Sequence, residues 1–284
     1  MQRVATGYGL IEGPVWDPSR GLYFSDVING GVHLLDRAGK ISLAVPKRRG
    51  IGGMALHASG GLVVGGRDIA CVSLADGSTR SLLSLDAIAG ATGFNDLTTD
   101  GAGRIYVGSL AFRVFGGEQP KPGHLHVIDL DGRMRTLSDG VMLTNGLGFS
   151  PDGKRLYHSD ARAPLVRVYD VSLDGSVGPW RMFASLGEAG VPDGLKVASD
   201  GSVWVADAHG GRVAVFNADG THRQDLAIPL PMVTSLCFGG EDLRDLYVVT
   251  GSRGGPHENC GSIFHMRVAI AGLPLPPARV ALSS

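Results

Sequence analysis

PDGLKVASDGSVWVAD, residues 192–207, sets two short apolar runs on either side of an Asp-Gly dipeptide. Asp-Gly supplies the positive backbone dihedrals of a tight turn, and Val203-Trp204-Val205-Ala206 alternates with the period of two of a half-buried strand. The stretch therefore reads as a β-hairpin running from one acidic residue, Asp193, to another, Asp207.

The same design recurs along the chain. TNGLGFSPDGKRLYHSD (144–160), FNDLTTDGAGRIYVGS (94–109) and TSLCFGGEDLRDLYVVT (234–250) repeat it, and IEGPVW (11–16) leads into LYFSD at 22–26. Asp-Gly stands at 76, 100, 131, 152, 174, 200 and 219. The first apolar residue after each strand-opening turn is Leu22, Leu62, Ile105, Leu156, Val203 and Leu246, spaced by 40, 43, 51, 47 and 43 residues. Units of this length, each holding four short strands, are the blades of a radial repeat. The expected fold is all-β, a six-bladed β-propeller with four-stranded antiparallel blades, forming one domain over 1–284. A β-sandwich would need about seven strands, not some twenty-four. The best helical candidate, SLLSLDAIAG at 81–90, is short and suits a strand edge and loop as well.

Composition narrows the function. With 26 basic against 27 acidic residues and no basic run longer than Lys47-Arg48-Arg49, the chain lacks the clustered positive charge that nucleic acid or an anionic membrane requires. No stretch has the length of a membrane span or a signal core, so a soluble, cytoplasmic protein is expected. The three cysteines, Cys71, Cys237 and Cys260, imply no disulfide framework, and the first two read as small buried hydrophobes. A small-molecule substrate is the expected partner, with neither nucleic acid nor membrane, and the chain monomeric or in a small homo-oligomer.

Aligning the repeats gives one equivalent position per blade at the start of the inner strand: Glu12, Gly52, Asn95, Asn145, Asp193 and Thr234. A second ring, at the end of the next strand, comprises Asp26, Gly66, Ser109, Asp160, Asp207 and Thr250. In a propeller such positions surround the axis at one face. Two carboxylates and two amides converging there repel and lose hydration unless a cation joins them. Oxygen donors without Cys or paired His favour one divalent metal ion such as Ca, Zn, Mg or Mn. Taken singly, Asn145-Gly146 and Asp193-Gly194 also read as hairpin turns and Glu12 as a surface residue. Their shared register in four of six repeats favours a site.

These stretches resemble the senescence-marker-protein, regucalcin and gluconolactonase family of six-bladed propellers over nearly the full length. The resemblance implies that Glu12 of EGP, Asn145 of NGL and Asp193 of PDG hold a divalent metal, and that Asn95 of FND contacts substrate or a metal-bound water. It also implies hydrolysis of lactones, a gluconolactonase-like activity in which a metal-activated water opens the ring; since the ring of polar positions holds no His, Asp193 is expected to double as metal ligand and general base. Asp207 is expected to position that water or bind substrate. One departure is Gly93, where several sugar-lactone hydrolases of the family carry an Arg that contacts substrate hydroxyls; Arg67 or Arg113 would have to compensate. The insertion SLAFRVFGGEQPKPGHLHV (109–127) suits a lid, with Phe112 and Phe115 as an apolar wall and Glu118 near a substrate-binding position of some members. In the loop 252–262, His257, Glu258 and Cys260 form a weaker candidate metal cluster. Among the remaining histidines, His33 and His158 read as strand or loop residues, and His209 as the one placed to reach the pocket. Competing readings are another metal-assisted hydrolase or lyase on the same scaffold, acting on a phosphotriester or secondary metabolite, and a non-catalytic Ca-binding propeller.

Overall fold

A computed structural model of the protein describes residues 1–114, 116–252 and 258–282. Six four-stranded antiparallel sheets make up the fold. Their inner strands are β2 (Ile11–Asp17), β6 (Met54–Leu56), β10 (Gly93–Thr99), β14 (Thr144–Phe149), β18 (Pro192–Val197) and β22 (Val233–Gly239). Each inner strand contacts the next, and β22 contacts β2, so they close a ring around a central axis. This is the six-bladed β-propeller that the repeat spacing predicts. One apolar cluster fills each gap between neighbouring blades, as where Trp204 packs edge-on to Phe238 between the fifth and sixth.

The turns form as the dipeptides require. Gly77, Gly132, Gly153, Gly175, Gly201 and Gly220 all have positive φ, while Gly101 does not; there Gly103 takes that conformation and the Asp100 carboxylate accepts the N–H groups of Ala102, Gly103 and Arg104. The segment 81–90 completes β9 (Thr79–Leu83) and then makes a three-residue 3-10 turn, Leu85–Ala87, capped by Ser84.

Two features join the chain's ends to the ring. β1 (Gln2–Tyr8) is the outer strand of the sixth blade, pairing with β24 (Gly261–Arg267), so the last blade is built from both ends of the chain. After β24 the chain crosses the inner strands' far ends: Leu273 N–H donates to Val197 O, Ala278 N–H to Leu56 O, and Arg279 N–H to Gly103 O. Leu275, Ala278 and Val280 enter the clusters beneath the first three blades. Among the described residues no helix is long and apolar enough to cross a membrane, and the three cysteines are free.

Candidate active site

The ring residues owe their aim to broken strand register. Pairing of β2 with its neighbour slips between Glu12 and Val15; β10, β14 and β18 slip likewise at Phe94/Leu97, Thr144/Leu147 and Pro192/Leu195. Asn95, Asn145 and Asp193 lie within such an irregularity and Glu12 at the edge of one, where the strand can turn a side chain out of the pleat toward the axis. The glycines that follow let the strands approach. A Cβ on Gly146 would overlap the Leu195 backbone N, and one on Gly194 would overlap Ser235 Oγ. Gly52 leaves room for an amide, since a Cβ there would overlap Asn95 Oδ1.

Glu12, Gly52, Asn95, Asn145 and Asp193 all line one cavity of about 830 Å³ at this end of the ring, a size suited to a small molecule. The sixth ring residue, Thr234, does not; its hydroxyl donates to Ile11 O at 2.6 Å and ties the sixth blade to the first. Asn95 Nδ2 donates to Asn145 Oδ1 at 2.9 Å and to Thr144 O at 2.7 Å, fixing both amides. Asp193 Oδ1 is buried without a hydrogen-bond partner.

Electrostatics at the floor are strained. Burial, and then the charges of Asp193 and Asp96, push the Glu12 carboxyl well above the usual carboxylate range. Burial and Asp96 do the same to Asp193. Asp96, itself raised by burial, and Lys196, whose positive charge offsets Asp96 and Glu12, complete a group of three acids and one base. Repeat alignment takes one position per blade and so misses both. Among the described residues no set of three or more His, Cys, Asp and Glu is placed to hold a metal ion. Any cation here must therefore use amide oxygen as well as the two carboxylates. An orphaned Asp193 oxygen, a second acid sharing its field and an amide held by Asn95 fit a hard divalent ion.

The second ring has another role. Asp207 is 1% exposed, does not line the cavity, and accepts from the N–H groups of Val191 and Gly210 and from Arg212 Nε. Asp26 likewise accepts from Gly9 and Asn29, and Asp160 from Met142, Leu143 and Arg167. These carboxylates pin the segments that lead into the inner strands. The signal was present in the companions Asn29, Arg167 and Arg212, a few residues downstream of each Asp.

Arg67 and Arg113 line the cavity mouth, joined by Arg49, Arg162, Glu188 and His209. Glu118 stands behind them, its carboxylate accepting from Arg113 N–H at 2.8 Å and 3.7 Å from Arg113 Nε. Phe112, 2% exposed, supplies part of the apolar wall with Phe94 and Leu110; Phe115 and His257 lie outside the described residues. His158 is buried on Thr144 Oγ1 at 2.7 Å, and His33 packs on Phe24. Gly93 lines the cavity with open space beside it, where a Cβ would meet only Gly66 O, at 3.3 Å.

A family model described as SMP-30/Gluconolactonase/LRE-like region matches residues 10–252. The Haloferax volcanii protein named pentonolactonase XacC is 33% identical over 284 residues, covering 95% of each chain. A Pseudomonas putida protein named 6-deoxy-6-sulfogluconolactonase is 33% identical over 278 residues, covering 93% of this chain and 92% of its own. Among solved structures, a regucalcin from Agrobacterium tumefaciens, titled a calcium-binding protein, superposes with a TM-score of 0.86 at 20% identity, over 98% of this chain and 96% of its own.

Proposed function

The chain belongs to the SMP-30/gluconolactonase/LRE-like family, and on that premise we propose that it is a lactone hydrolase that opens the ring of a sugar-acid lactone with the help of one divalent ion. The observation that carries this reading is the Asp193 carboxylate, buried at the cavity floor with Oδ1 unpartnered and its proton affinity raised. Relatives named for pentonolactone and sulfogluconolactone hydrolysis support the reaction class.

Glu12, Asn145 and Asp193 would hold the ion, which supplies Lewis acidity toward the lactone carbonyl. Asp193 accepts a proton from the water that adds to the carbonyl carbon. In the absence of the ion its depth and the Asp96 charge raise its proton affinity, and its place at the cavity floor is what suits it to act as base. The C–O bond from water forms, the ring C–O bond breaks, and the proton passes to the ring oxygen as it leaves as a hydroxyl. Asn95, held to Thr144 O, keeps the Asn145 amide turned toward the floor and offers Oδ1 to a substrate hydroxyl. Arg67 and Arg113 serve the distal part of the substrate, while Phe94 and Phe112 limit water to the reacting face. Asp207 acts behind the site by fixing Val191, two residues before Asp193.

Asp193→Ala tests this directly. Turnover should fall by about a thousandfold or more, the order lost when a catalytic base is removed. Thermal stability of the metal-stripped protein should be unchanged or higher, because an unpaired buried charge is gone. A variant with the parental rate would exclude Asp193 as the base.

A further inference from the structure

The cavity mouth is basic on a chain whose formal charge is -1. Of its four arginines, Arg113 faces Glu118, while Arg49, Arg67 and Arg162 make no hydrogen bond or ion pair among the described residues. Arg49 and Arg67 belong together. They lie in the segment before β6 and in the turn after β7 (Gly61–Val64), and the two segments run close enough that a Cβ added to Gly66, the neighbour of Arg67, would sit 3.3 Å from Arg49 O. The acid next to Arg67 is already committed: Asp68 Oδ1 accepts from Arg48 Nη2 at 2.6 Å, and the same nitrogen donates to Asp68 O at 3.2 Å. Gly31 N–H to Arg48 O at 2.7 Å fixes the segment from its other side. Arg48 thus joins the two loops and takes up their acid, leaving Arg49 and Arg67 lining the cavity as like charges with no ion pair among the described residues. Such a pair repels until an anion bridges it. The turn is also wired to the floor, since Phe94 N–H donates to Gly66 O at 2.7 Å and Phe94 precedes Asn95.

We propose that Arg49 and Arg67 form an anion subsite, and that the substrate is a lactone bearing a negatively charged group remote from its ring ester, a carboxylate, sulfonate or phosphate. The proposal rests on the lactonase reading and names the substrate class within it. It also gives Gly93 a role: Gly93 lines the same cavity as Arg49 and Arg67 and adds no side chain there, where an arginine would take up space and bring its own charge.

The test compares kcat/KM for gluconolactone with that for lactones of the same ring ending in carboxylate, sulfonate or phosphate. The parent should favour a charged lactone by about tenfold or more, with the preference shrinking as salt rises. The combined variant Arg49→Gln and Arg67→Gln should lose most of that ratio. Arg37→Gln, which breaks an exposed pair with Glu241 away from the cavity, should keep it. The most favoured charged lactone identifies the group. Equal rates on neutral and charged lactones, or a preference that survives in the double variant, would overturn the subsite. If no lactone is opened at all, the lactonase reading fails separately, and inorganic sulfate then decides the subsite. A sulfate-induced rise in Tm in the parent that is lost in the double variant upholds it, and equal shifts reject it.

Discussion

Asp193, the residue proposed as base, is placed where it opposes folding. A carboxylate buried beside Glu12 and Asp96 with one oxygen unpartnered is costly, and only a cation or a proton relieves it. Sequence position told of it because it recurs at one register. Asp96 and Lys196 belong to the same field but occupy offsets outside that register, so the repeat does not single them out; Arg49 stands in the short basic run 47–49, which is too short to signal a polyanion partner and has no place in the repeat. Asp207 shows the converse. The same residue type in an equally regular ring proves to be a clamp on backbone N–H groups, and composition cannot separate a clamp from a ligand. Two histidines add a pH dependence of their own. His126, bonded to Ser109 and Thr136, and His158 are kept neutral by burial, with pKa values lowered to about 4 and about 3. The unfolded chain takes up these protons near pH 6.5, so their contribution to stability is whole above that pH and is lost as pH falls toward 4 and then 3. Denaturant unfolding of His126→Gln at pH 7, 5 and 4 should show a shallower loss than the parent. An unchanged slope would mean that His126 titrates normally.

At the level of the element, the bulge followed by glycine is what converts a strand into a site. Gly194→Ala forces a methyl group into Ser235 Oγ, and the inner strands there cannot separate without opening the ring. A cost of about 1–3 kcal/mol is expected, together with a loss of turnover larger than the loss of stability, because Asp193 is the adjacent residue. A variant that keeps its activity at reduced Tm would show that the strand spacing does not position the carboxylate. The hairpins were legible because Asp-Gly fixes turn and register together. The partner of β1 was not, since QRVATGY has no complement in its own repeat and pairs with β24, some 260 residues away. The segment after β24 was equally silent, being short of both alternation and turn signals. It nonetheless buries Ala278 and Val280 and packs the partly buried Leu275 against the same clusters. Removing the chain from residue 271 onward should lower Tm by about 10 °C or more, from burial of roughly 1.5–3 kcal/mol per large apolar side chain. A smaller shift would show that the blades alone hold the ring.

For the whole molecule, the architecture divides labour between the two ends of the ring. One end is crossed by the C-terminal segment; the other carries the acid and amide floor beneath a basic, partly aromatic mouth. Six repeats share one framework, while differences among the six ring residues give it an asymmetric site: Gly52 makes room, Thr234 ties blades, and Glu12, Asn145 and Asp193 line the cavity where the proposed cation would sit. The most direct measurement is acid release from sugar, aliphatic and aromatic lactones by chelator-stripped protein, with Ca, Mg, Mn and Zn each returned in turn. The expected result is ring opening that requires a returned ion, favours sugar-acid lactones and vanishes in Asp193→Ala. Full turnover by the stripped protein, or silence across every lactone with an ion bound, would contradict a metal-dependent lactonase.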